Sequence, residues 1–240
     1  KPSSAASDVY KRQSPNYAEK LRSGKSITMI IIHYTGMQSE RESLKRLTST
    51  SSKVSAHYLI GRSGRIFNLV DVKYVAWHAG KSMWKKNKNL NKNSIGIELV
   101  NKGHKFGYQK FTKIQIKNLI SLCKKLKKKY KIKNNFILAH SDIAPIRKID
   151  PGEKFPWQYL SINGIGNYPK KIDIKNKYKK TQNNGLFFKN LYKIGYRYLN
   201  SKYKTKIIKN FQRKYRQKKI NGIIDFETLK LSQILSKSSN

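Results

Sequence analysis

Apolar positions follow two rhythms along this chain. Residues 27–32 form an apolar, β-branched run interrupted only by Thr28, which predicts a buried strand ending at His33. Residues 54–60 and 65–70 read as two strands joined across Gly61 and Gly64, and residues 95–100 as a further strand. Leu44 and Leu47 give residues 40–50 a short helical pattern. The clearest helix starts at Thr112, spaced to form a capping box with Gln115. Beyond it Ile116, Leu119, Ile120, Cys123, Leu126 and Tyr130 share one face and lysines fill the other. Residues 136–139 form another apolar run, ending at His140. Strands interleaved with helices predict an α/β fold, a mixed central β-sheet flanked by helices.

The rhythm stops after Tyr168. Residues 170–184 are lysine-rich and poor in apolar side chains, which reads as a basic linker. Helical spacing returns in 186–199, 207–215 and 226–235, with Asp225 placed to N-cap the last, so a small three-helix domain is expected over 185–240. The larger domain spans 25–169. Residues 1–13 have no periodicity and resemble translated adaptor sequence, so 1–24 is set aside as partly non-native or disordered.

Composition narrows the class. The 240 residues hold 53 Lys and Arg against 12 Asp and Glu, a formal charge of +41, which favours contact with polyanions or anionic surfaces. Charge alone does not name the partner. One cysteine, Cys123, excludes an internal disulfide framework and sits on the apolar helix face as core. No apolar run reaches the roughly 18 residues of a membrane span. The chain opens on Lys1, so a leader or lipid anchor upstream stays open.

With acidic residues this scarce, Glu98 inside the run Ser94-Ile95-Gly96-Ile97-Glu98 stands out, because a carboxylate in an apolar strand costs desolvation unless a charge answers it. His33 and His140 each close an apolar run, and Asp150 follows His140 in a Pro-containing loop. Two imidazoles and a carboxylate at a sheet rim can form an open three-ligand zinc set. A strand-end histidine is more often structural, so spacing alone does not decide.

Five blocks in order resemble one family. They are Ile31-Ile32-His33-Tyr34-Thr35, Val54-Ser55-Ala56-His57-Tyr58, Ala76-Trp77-His78-Ala79-Gly80, Ser94 to Glu98, and the loop from His140 through Asp150-Pro151-Gly152 to Trp157. Together they resemble the zinc-dependent N-acetylmuramoyl-L-alanine amidases, and within them the bacterial branch that includes the outer-membrane lipoprotein amidase. The resemblance implies Zn2+ on His33, His140 and Asp150, Glu98 as general base, and Lys148 facing the oxyanion. It implies that Trp77 and His78 line the substrate groove and that Arg147 meets a muropeptide carboxylate. His57 reads as packed and structural, and His104 as exposed. Residues 207–228 resemble a three-helix peptidoglycan-binding domain that tethers the enzyme to its polymer. On that view, deleting 170–240 spares cleavage of soluble muropeptides.

The implied partner is peptidoglycan or its muropeptides, in the periplasm or at the outer membrane, with the cytoplasm as the alternative. Two competing functions are a catalytically silent wall-recognition protein and a basic nucleic-acid-binding protein. The complete ligand set with Glu98 and Lys148 argues against the first. Against the second, no helix-turn-helix, zinc-finger or aromatic RNA-binding signature is present, so no specific nucleic acid is expected.

Overall fold

A computed structural model describes residues 9–169, 179–181 and 183–238. The start of the N-terminal segment and most of the predicted linker lie outside the described residues. In chain order the strands are β1 Val9–Lys11, β2 Tyr17–Ala18, β3 Met29–Tyr34, β4 Tyr58–Ile60, β5 Ile66–Asn68, β6 Val75–Ala76, β7 Met83–Trp84, β8 Asn87–Lys88, β9 Ser94–Leu99 and β10 Ile137–Ala139. The α-helices are α1 Glu40–Thr48, α2 Lys113–Tyr130, α3 His140–Ile143, α4 Trp157–Ile162, α5 Asn184–Ile194, α6 Lys204–Tyr215 and α7 Phe226–Lys237. Six strands form the main sheet in the order β1-β5-β4-β9-β3-β10. The β4–β5 pair is antiparallel and the others are parallel, so the sheet is mixed, as the alternation of elements predicts.

Period-two alternation gives the sheet two unlike faces. One carries Ile30, Ile32, Ile95 and Ile97 and packs on the apolar stripe of α2, with Cys123 buried among them. The other carries Met29, Ile31 and Leu138, which share a core with Phe187, Leu191, Ile207, Phe211, Leu229 and Leu235 of the three C-terminal helices. These helices therefore cover the second face of the sheet as part of its core. Toward the β5 side, Leu59 and Phe67 of that face meet Leu47 of α1. Between the two apolar patches, β9 presents Ser94, Gly96 and Glu98. That row holds no apolar side chain, and the candidate site is built on it.

The capping-box expectation needs correction, and the described part of the N-terminal segment joins the fold: β1 pairs with β5, the buried Ser14 donates to the Leu47 carbonyl, and Asn16 donates to the carbonyls of Ser49 and Val54. Main-chain pairing at a sheet edge and single polar ties need no apolar rhythm, so periodicity is blind to them. The Gln115 backbone N–H donates to the Thr112 hydroxyl oxygen, but its side chain turns inward to donate to the carbonyls of Ile60 and Val100. Those two buried carbonyls need a donor more than the solvent-facing helix end does. Asp225 caps α7 as expected, accepting from the Thr228 N–H.

Candidate metal and catalytic site

Strand register places the first two groups. His33 and Glu98 are direct partners across the parallel β3–β9 pair, so their side chains leave the same face side by side. Ala139 is the register partner of Ile32, which puts His140, the next residue, beside His33. His140 opens the short helix α3, and the chain returns so that the Ser141 N–H donates to the Asp150 carbonyl. Three ligand atoms converge as a result. His33 Nδ1 lies 2.9 Å from His140 Nδ1, His140 Nδ1 lies 3.0 Å from Asp150 Oδ2, and His33 Nδ1 lies 3.3 Å from Asp150 Oδ2. Zinc bonds of about 2.0–2.1 Å in tetrahedral geometry require ligand atoms about 3.3 Å apart, close to this triangle.

The hydrogen-bond network assigns the protons. The Ser94 hydroxyl donates to the Leu90 carbonyl at 2.6 Å, so its oxygen accepts from His78 Nε2–H at 3.2 Å. His78 Nδ1 is then bare and accepts from His33 Nε2–H at 3.0 Å, which leaves the lone pair of His33 Nδ1 facing Asp150 and His140. His140 Nε2–H donates to the Ala79 carbonyl at 3.2 Å, and its Nδ1 is bare as well. Two imidazole lone pairs and a carboxylate oxygen thus meet with no proton between them, an arrangement that repels itself until a cation enters. The donor set fits a divalent metal.

Charge follows the same logic. Burial, then the nearby His140, lowers the His33 pKa to about 4, so the ring is neutral and able to ligate. Burial pushes the Asp150 carboxyl up, and a proton on His140 or His33 would hold it well below the usual carboxylate range. Burial, then the Asp150 charge, raises the Glu98 pKa to about 8, while Lys148 pulls the other way. Glu98 Oε2 has no hydrogen-bond partner among the described residues. A carboxylate with a free oxygen beside the metal ligands can take a proton and give it back.

A cavity of about 350 Å³ opens onto these groups, lined by Trp77, His78, Glu98, Arg147 and Lys148. All the predicted site residues therefore meet in one place. Two of them have further contacts. His78, 8 % exposed, lines the cavity and also accepts from His33 behind it. Gly96 makes this possible, since a Cβ there would lie 2.3 Å from the His78 ring. Arg147 donates to the carbonyls of Ala79 and Lys81, tying two loops together at the cavity edge. Sequence reasoning missed the part that Ser94 plays in orienting His78. The polar beats of Ser94-Ile95-Gly96-Ile97-Glu98 were the available signal. His57 is buried, accepts from the Gly96 N–H and lies 2.8 Å from the Arg22 guanidinium, a structural role as expected. His104 is exposed and stacks on Tyr108. Cys123 is buried in the core with its thiol pKa pushed up to about 12 by burial, so it is no nucleophile.

Comparison with known proteins follows this geometry. A family model described as N-acetylmuramoyl-L-alanine amidase matches residues 23–153. The chain is 41% identical over 155 residues to the N-acetylmuramoyl-L-alanine amidase AmiD of Escherichia coli, covering 60% of this chain and 55% of that relative. It is 34% identical over 173 residues to the 1,6-anhydro-N-acetylmuramyl-L-alanine amidase AmpD of Haemophilus influenzae, covering 64% of this chain and 91% of the relative. A solved complex of E. coli AmiD with anhydro-N-acetylmuramic acid-L-Ala-D-gamma-Glu-L-Lys superposes with a TM-score of 0.80 at 33% identity, over 92% of both chains. AmpDh3 of Pseudomonas aeruginosa superposes at 0.78 and 30% identity, over 93% of this chain and 96% of that one.

Proposed function

The chain belongs to the N-acetylmuramoyl-L-alanine amidase family, and we propose that it hydrolyses the amide between N-acetylmuramic acid and L-alanine in peptidoglycan or muropeptides. The observation that carries this reading is the convergence of three bare ligand atoms beside a carboxylate with an unused oxygen.

His33, His140 and Asp150 would hold Zn2+, which when bound supplies the Lewis acidity that makes water a nucleophile at neutral pH. Glu98 takes a proton from the attacking water and returns it to the leaving nitrogen of L-alanine, so one carboxylate serves both halves of the hydrolysis. Lys148, lining the same cavity, places its ammonium toward the oxygen that gains charge as the carbonyl becomes tetrahedral. Trp77 offers the sugar or peptide an aromatic wall. Recognition without cleavage would need neither the ligand triangle nor the free Glu98 oxygen, which disfavours a silent binding protein.

The related structures hold anhydromuramic peptides, and we extend that substrate class to this chain. We also propose contact between the helices of 185–240 and the polymer, supported by exposed Tyr192 and Phe226, and a place in the cell envelope. Among the described residues no helix is long and apolar enough to cross a membrane. Mass spectrometry of muropeptides and sacculi incubated with the protein, with and without a chelator, tests the reaction. Free stem peptides that vanish with the chelator are expected, whereas intact lactyl amides under both conditions would refute it.

A further inference from the structure

The candidate site has two supports. His33 and Glu98 stand on strands. His140, Lys148 and Asp150 stand on the stretch 140–153, whose middle is held by Arg147, bonded to the carbonyls of Ala79 and Lys81, and by side chains from the C-terminal helices. Asn210, on α6 and 2 % exposed, donates one amide hydrogen to the Pro145 carbonyl at 2.7 Å and the other to the Lys148 carbonyl at 2.8 Å. Two carbonyls on one side fix which end of the carboxamide faces them. Arg213 donates to the remaining Asn210 oxygen at 3.0 Å and pairs with Glu153 at 3.4 Å. Lys214 is buried against Asp142, whose carboxylate also accepts from the Ala139 N–H at the start of α3 and from the Tyr196 hydroxyl. Gln217, just past the end of α6, donates to the Phe155 carbonyl at 2.7 Å.

Positions 210, 213, 214 and 217 follow the i, i+3, i+4, i+7 spacing of a single helix face. That face is polar where a core helix would be apolar, and every member addresses residues 142–155. Burying Asn210 and Lys214, with Arg213 and Gln217 half-buried beside them, costs desolvation that the apolar alternative avoids, so the pattern calls for a task that apolar packing cannot perform. Apolar contacts tolerate sliding; bonds to chosen carbonyls do not.

We propose that α6 sets the position of the 140–153 loop, with Asn210 as the positioning residue for Lys148 and Asp150. The C-terminal helices are thereby part of the hydrolytic unit, whatever they do toward the wall. This inference rests on the reading of the site given above, and its test separates the two.

The full-length chain is compared with Asn210→Asp, which keeps size and the Arg213 contact but loses both amide hydrogens, and with Asn210→Leu. The control is Asn190→Leu, which removes a buried amide bonded to Ser232 within the helices and far from the loop. Three quantities are read: zinc affinity of metal-stripped protein by chelator competition, kcat and KM on a soluble anhydromuramyl peptide, and amide exchange at Ser141 and Lys148. Both Asn210 variants should weaken zinc binding and lower kcat by about 10- to 100-fold with KM nearly unchanged, and should speed loop exchange. Asn190→Leu should match the parent in all three. Should Asn210→Leu fail to fold, Asn210→Asp alone decides. Parent-like zinc affinity, kcat and exchange in Asn210→Asp would overturn the proposal, as would an equal loss in Asn190→Leu. An inactive parent protein would refute the proposed reaction, and exchange at the loop amides would still judge the positioning role.

Discussion

The strand-borne and loop-borne halves of the site are held by different physics. His33 and Glu98 are fixed by the register of β3 against β9, where slipping one residue would turn both side chains to the opposite face. The 140–153 loop has no such ladder through its middle, and its shape comes from side chains of α6 more than 50 residues away in sequence. One half of the site is thus fixed by main-chain register and the other by individual polar bonds from a distant helix. On the proposal above, the helices of the C-terminal third are needed for the reaction.

The sharpest way to break the comparison is to remove residues 170–240. Met29, Ile31, Leu138, Ile143 and Trp84 lose their cover, each worth about 1.5–3 kcal/mol, against a total domain stability of about 5–15 kcal/mol. Asp142 would also lose its ion pair. The truncated chain should be unfolded or aggregated by circular dichroism and inactive on soluble muropeptides, contrary to the tether implied by the resemblance. Folded, active truncated protein would show that the loop holds itself.

A smaller perturbation tests the strand-borne half alone. Glu98→Gln keeps the shape and the register, so zinc content by plasma mass spectrometry should match the parent while turnover falls by about 10²–10⁴-fold. Unchanged turnover would remove Glu98 from the chemistry.

The mildest probe is acid. Burial, followed by the Arg22 charge, lowers the His57 pKa from 6.5 to about 3, and that of His33 falls to about 4. Above pH 6.5 both folded and unfolded chains carry these rings neutral. Below it the unfolded chain takes up protons that the folded chain refuses, so stability falls as pH drops from 6.5 toward 4. Glu98, raised from 4.5 to about 8, acts in the opposite sense, losing stability as pH rises, but it is one group against three rings, since burial also holds the His78 pKa well below its ordinary value. The thermal midpoint of metal-free protein should therefore decline between about pH 7 and about pH 5. A flat or rising midpoint would mean that the histidines are not buried neutral.

Much of this was legible before any coordinates. The runs at β3, β9 and β10 gave strands whose ends carry His33, Glu98 and His140, because hydrophobic alternation reports burial directly. The α2 stripe was read correctly for the same reason. What escaped notice had no local signature. Val9 to Arg22 act through main-chain pairing and isolated polar ties. The resemblance places His78 at the groove, and the ring does line the cavity, but only the register of β9, with Gly96 opening space, shows it also turned toward His33. Asn210 and Lys214 lie within the helix predicted over 207–215. Their partners are distant in sequence, so periodicity marks them as exceptions without saying what they bond.

The chain of donors that ends at the Leu90 carbonyl has one last implication. Because that carbonyl can only accept, every proton along Ser94, His78 and His33 is oriented before any ion arrives. A cation bound by His33 Nδ1 would therefore meet a lone pair that the donor chain already presents, with no proton to displace from that ring.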